Sequence, residues 1–194
     1  VYTLISAYIP FIDNPRKPGQ NNHKKATRIE DFKHMVGVVS IINGETLTCS
    51  ANISPSLNII TAAHCIFGAE LVTLTFGTVN LFSPCRTVNV TNDRIHVHPG
   101  YTNEYPYTHN IAVIQIQTNF KIDSKIAPIK MHEPNFVAKQ GSNYSMLGYL
   151  ATDNHLRLFD GSIAQFDACR HSYFQYQSFH FGNTSQVLQE DWQL

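Results

Sequence analysis

From residue 35 onward the chain is a succession of short apolar runs rich in β-branched residues, most closed by a turn former. Val36-Gly37-Val38-Val39-Ser40-Ile41-Ile42 leads into Asn43-Gly44, a dipeptide suited to a tight hairpin turn. Thr46 to Ile53, Ile59 to Thr61, Leu71 to Phe76, Arg86 to Val97 and Ile111 to Ile116 read as further strands. Sustained helical periodicity is absent, and Asp160 to Tyr173 has room for one short helix. Strands separated by turns at short intervals predict an all-β barrel or sandwich. An extended connector, Ile126-Ala127-Pro128-Ile129-Lys130, precedes a second strand set beginning near Ser145-Met146-Leu147-Gly148, so a division falls near residue 125. Residues 1–34 read as irregular, with a polar, turn-rich stretch from Asn14 to Asn22.

Charge narrows the function classes. Charged residues are only 14% of the chain and formal net charge is zero, so no footprint for nucleic acid is present. The short basic clusters Arg16-Lys17 and His23-Lys24-Lys25 read as solvated loop. No apolar run reaches the ~18 residues of a membrane span. The first residues, Val1-Tyr2-Thr3-Leu4-Ile5, lack an initiator Met and a basic leader segment, so they do not read as a signal peptide. Cys49, Cys65, Cys85 and Cys169 form no CxxC or zinc-knuckle spacing, and no cofactor or metal is expected. His96 and His98 share a strand face without a third ligand. Four sequons, at Asn52, Asn89, Asn143 and Asn183, together with the even cysteine count point to a secreted, extracellular glycoprotein.

The most specific string is Thr61-Ala62-Ala63-His64-Cys65, with Cys49 sixteen positions before Cys65. Then come His98-Pro99-Gly100-Tyr101, His109-Asn110-Ile111-Ala112-Val113, Lys125-Ile126-Ala127-Pro128-Ile129, Gly148-Tyr149 and Asp167-Ala168-Cys169-Arg170. In content, order and gaps these strings resemble the chymotrypsin/trypsin family of serine proteases. The resemblance implies a chymotrypsin-like double antiparallel β-barrel with the active site between the barrels. It implies a single trypsin-like peptidase domain over 1–194, with 1–34 irregular, 35–124 the first barrel and 125–194 a partial second barrel. It also implies a Cys49–Cys65 disulfide, with His64 as the remnant general base and Asn110 at the place of the triad aspartate. Cys169 matches a family cysteine whose partner is missing, so a Cys85–Cys169 bond and free or intermolecular thiols both stay open.

Catalysis in this family needs a serine to attack, a histidine to take its proton and an aspartate to hold the histidine's tautomer. The family's Gly-Asp-Ser-Gly-Gly string occurs nowhere in the chain. The best local match is Gln189-Glu190-Asp191-Trp192, which puts Trp192 at the nucleophile position and Glu190 at an oxyanion-hole glycine. No Ile-Val-Gly-Gly lies near Gln20, where the family's activating terminus would fall. The chain stops at Leu194, before the strands that complete the second barrel in active relatives, so that barrel is expected to be incomplete. The expected protein is an inactive homologue that binds a protein or peptide partner as protease cofactor, decoy or regulator. The alternative is a truncated form of an active serine endopeptidase.

Overall fold

The computed structural model describes residues 23–104, 108–116, 120–134, 136–163 and 165. Two strands, β1 (Lys24–Lys25) and β2 (Met35–Ile42), come first. Asn43 and Gly44 both take left-handed backbone angles, with φ of 51° and 77°, and turn β2 directly into β3 (Glu45–Ile53). This two-residue geometry suits the right-handed twist of an antiparallel pair, and Ile42 comes to face Glu45. β4 (Ile59–Thr61), β5 (Leu71–Phe76), β6 (Arg86–Val90), β7 (Ile95–Val97) and β8 (Ala112–Ile114) complete a seven-stranded antiparallel sheet in the order β6-β5-β2-β3-β4-β8-β7.

The sheet encloses one apolar core. Val36 and Val38 from β2, Ala51 and Ile53 from β3, Ile59, Leu74, Phe76 and Ile114 are fully buried in it, joined by Ile126 from the connector. Each side chain of Val to Phe size withdrawn from water contributes about 1.5–3 kcal/mol. Gly37 lies on β2 where the Leu81 side chain crosses the strand, and a Cβ there would overlap Leu81.

A second sheet, of order β1-β10-β9, is formed by β1 with β9 (Asn143–Leu150) and β10 (His155–Ser162). Ala26, Ile29, Met35, Tyr149 and Leu156 form a smaller buried cluster beside it. Main-chain bonds from Ala26 N–H to the Leu156 carbonyl (2.9 Å) and from Leu156 N–H to the Val79 carbonyl (2.8 Å) hold that cluster. Among the described residues of a separate compact unit that includes Val137–Ser145, Gly141 N–H bonds the Ile163 carbonyl and Ile163 N–H bonds the Ser142 carbonyl, both at 2.9 Å.

The all-β expectation holds: among the described residues there is no α-helix, only 3-10 turns at Ile29–Asp31, Ala63–Cys65 and Asn92–Arg94. None of the described helices is long and apolar enough to cross a membrane. Three local expectations change. The stretch Arg86 to Val97 is two strands, because the 3-10 turn Asn92–Arg94 interrupts it and sends β6 and β7 to opposite edges of the sheet. Lys24 and Lys25 are a strand rather than loop, paired with Leu158 and Arg157 while their side chains stay exposed. Asp160, Gly161 and Ser162 end β10 instead of starting a helix; beyond Ile163 and Gln165, the rest of that stretch lies outside the described residues.

Candidate functional site

β4 ends at Thr61, whose hydroxyl donates to the Ser50 carbonyl of β3 at 3.0 Å. The chain then enters the Ala63–Cys65 turn, where Ala63 is fully buried in the core. Cys65 is bonded to Cys49 of β3 (Sγ–Sγ 2.00 Å, Cα–Cα 6.1 Å). From β2, the buried Ser40 hydroxyl donates to the Cys65 carbonyl at 2.6 Å. His64 is thereby held, half-buried, on a turn tied to β2, β3 and β4.

Asn110 reaches the same place from the segment before β8. Its approach is set by His109, which takes φ of 51°, and by a tight bond from Ile111 N–H to the His109 carbonyl at 2.6 Å. The His109 ring stacks on His98 (centroids 4.7 Å apart, 10° between planes) and lies against Gly100, where a Cβ would stand 3.1 Å from His109 Nδ1. Gly100 N–H donates to His98 Nδ1 at 3.0 Å. The sequence singled out His98 but carried no signal for the ring stack, since the two histidines are eleven positions apart and meet only through the loop.

The backbone N–H of His64 donates to Asn110 Oδ1 at 2.9 Å. A backbone N–H can only donate, so this bond identifies which amide atom is the oxygen. The amide nitrogen Nδ2 then lies 2.8 Å from His64 Nδ1, nearer than Oδ1 at 3.2 Å. In that arrangement Nδ2–H donates to the Nδ1 lone pair, and a neutral imidazole carries its proton on Nε2. Nε2 lies 3.5 Å from Cys65 Sγ.

The structure thus brings together His64, Asn110, Cys49 and Cys65. Asn52 is half-buried in β3, between β2 and β4, whereas Asn89 on the edge strand β6 and Asn143 at the start of β9 are exposed. Asn89 Oδ1 accepts the Thr73 hydroxyl at 3.0 Å. Cys85 is an exposed free thiol with Lys125 Nζ 3.8 Å away. Trp192, Glu190, Asn183 and Cys169 lie outside the described residues. Ser40 is a positioning residue that sequence reasoning passed over, because a serine inside an apolar strand has no local signature of its distant acceptor.

The Trypsin family model matches residues 22–192. The CLIP domain-containing serine protease C9 of Anopheles gambiae is 26% identical over 159 residues, covering 76% of this chain and 41% of that protein. Phenoloxidase-activating factor 1 of Holotrichia diomphalia is 23% identical over 138 residues, covering 61% of this chain and 38% of its own length. The chain therefore spans about two fifths of the length of these curated relatives. Among solved structures, the scabies mite inactivated protease paralogue S-I1 superposes with a TM-score of 0.67 at 25% identity, over 76% of this chain and 68% of that one. With the family model matching most of its length and the all-β sheets superposing on a protease paralogue, the chain belongs to the Trypsin family of serine proteases and has the chymotrypsin-like fold.

Proposed function

We propose that this chain is a catalytically inactive member of its family, a single trypsin-like peptidase domain that acts by binding a protein or peptide as cofactor, decoy or regulator of proteolysis. The observation that carries this reading is the Asn110 amide. Its oxygen is committed to His64 N–H, which leaves its NH₂ facing His64 Nδ1. A general base must keep its lone pair on Nε2 and its proton on Nδ1, the reverse of this arrangement. In a protease of the same triad, replacing the aspartate by asparagine costs about 10⁴-fold in turnover. The absence of Gly-Asp-Ser-Gly-Gly from the sequence supports the same reading, with Trp192 at the nucleophile position. So does the likeness to a scabies mite protease paralogue that is itself inactivated.

Extracellular placement and glycosylation are part of the proposal. The Cys49–Cys65 disulfide and the exposed sequons at Asn89 and Asn143 support them. No cofactor is required for a role in binding. The test is a fluorophosphonate probe applied to the purified chain, alongside a peptide-ester assay. No labelled serine and no His64-dependent hydrolysis are expected. Labelling of a serine, or ester hydrolysis abolished in His64→Ala, would overturn inactivity.

A further inference from the structure

Asn43 is the only asparagine in the chain that glycine follows. Both residues are exposed at the tip of the β2–β3 hairpin, and a Cβ at Gly44 would meet nothing within 4 Å. The main-chain nitrogen of Gly44 is therefore open to approach from the Asn43 side chain, which covalent bonding already keeps close. One contact guards that nitrogen: its N–H donates to Glu70 Oε1 at 3.2 Å. Glu70 is fastened beside the hairpin by its own N–H, which bonds the Ile41 carbonyl at 2.8 Å, and by the next residue, Leu71, which faces Ile41 across the β2–β5 pair. A carboxylate 26 positions away thus sits on the one nitrogen that the Asn43 amide can meet as a nucleophile.

We propose that Asn43 is a site of spontaneous covalent modification, passing through a cyclic imide to aspartate and isoaspartate at a rate that the Glu70 carboxylate restrains. The Gly44 nitrogen gives its proton to solvent base and bonds to Asn43 Cγ. The Cγ–Nδ2 bond then breaks, and Nδ2 leaves as ammonia with a proton returned from solvent. Water opens the resulting five-membered imide at either carbonyl. Cleavage of the new Cγ–N bond leaves aspartate; cleavage of the bond from nitrogen to the main-chain carbonyl carbon leaves isoaspartate. The net change is one water consumed and one ammonia released, with no oxidation.

Glu70 opposes the first step in two ways. Its hydrogen bond holds the Gly44 N–H in the closed turn, and ring closure has to break that bond. Its charge lies beside a nitrogen that becomes negative as the proton leaves, and like charges at this range repel. The consequence falls on the hairpin. Either product puts a second carboxylate on the turn that Glu70 already contacts. Isoaspartate also adds a methylene to the main chain of a two-residue turn that brings Ile42 opposite Glu45. Ser40 and Cys49, which tie down the His64 turn, lie on the two strands of this hairpin. None of this depends on whether the chain cleaves peptides, so its failure and that of the inactive reading are separate.

The experiment incubates the full chain, Glu70→Gln and Asn43→Gly in warm neutral buffer of low ionic strength and locates isoaspartate by peptide mapping. Glycine keeps the positive φ at position 43 and removes the reacting amide, so that variant gives the background. Glutamine keeps an acceptor for the Gly44 N–H and removes the charge. Isoaspartate in the parent chain should map to Asn43, above the background. Glu70→Gln should convert about fivefold faster, the factor that a unit charge at about 4 Å imposes in water. That gap should close in about 1 M salt, where the Debye length is about 3 Å. No product at Asn43 above background, a Glu70→Gln rate equal to or below the parent's, or a gap indifferent to salt would overturn the proposal.

Discussion

An amide and a carboxylate differ at Asn110 by one NH₂ in place of one oxygen, and that exchange reverses the direction of a hydrogen bond. The His64 backbone N–H sits 2.9 Å from Oδ1 and cannot accept, so the amide cannot turn its oxygen fully to the ring without giving up that bond. The expected consequence is spectroscopic. Imidazole ¹⁵N chemical shifts of the purified chain at neutral pH should report the Nε2–H tautomer of His64. Asn110→Asp, which can only accept, should move the proton to Nδ1. A His64 ring already protonated on Nδ1 in the parent chain would remove the basis of the tautomer argument. Ser40 belongs at this scale too: its buried hydroxyl ties β2 to the carbonyl of the residue after His64, so the turn's position depends on a side chain 25 positions away.

At the scale of elements, β9 docks onto the seven-stranded sheet by polar anchors around one aromatic residue. Tyr149 is 5% exposed; its hydroxyl donates to the Thr78 carbonyl at 2.6 Å and its N–H to Ser50 Oγ at 2.8 Å. Burial pushes the phenol well above its ordinary range, so it stays a donor at any working pH. Tyr149→Phe keeps the ring but leaves the Thr78 carbonyl without this partner. A loss of about 1–3 kcal/mol is expected in urea unfolding, and an unchanged midpoint would show that the hydroxyl's bond to Thr78 does not contribute to holding β9. The split of Arg86 to Val97 carries a related lesson. Asn92 and Asp93 are turn formers inside an otherwise strand-like run, and their local preference prevails because β6 and β7 have different neighbours, β5 and β8.

For the whole molecule, acidity acts through a histidine away from the candidate site. His34 precedes β2, its carbonyl accepts Ile53 N–H at 2.9 Å, and burial lowers its pKa below the usual imidazole value. The folded state thus favours the neutral ring, while the unfolded chain takes up a proton near pH 6.5. More protons on the unfolded state mean that stability falls as pH drops below about 6.5 toward the folded pKa. Thermal unfolding should therefore show a larger loss between pH 7.5 and 5.5 in the parent chain than in His34→Gln. Parallel losses in the two proteins would contradict this assignment.

Strand texture, the Asn43-Gly44 hairpin and the family strings around His64 and Asn110 could be read from residues alone, because alternation, turn chemistry and motif spacing are properties of neighbours along the chain. β10 escaped that reading: Leu156-Arg157-Leu158-Phe159 is short, and its pairing with Lys24 and Lys25 joins segments more than 130 positions apart. The identity of Asn110 marked a departure from an acid, but not its consequence. Which amide atom meets Nδ1 is decided by a backbone N–H 46 positions away, and the proximity of Nε2 to Cys65 is decided by the fold of the turn. Local sequence determines what each segment can be; which donor meets which acceptor waits on the tertiary structure, because hydrogen bonds act over about 3 Å whatever the separation along the chain.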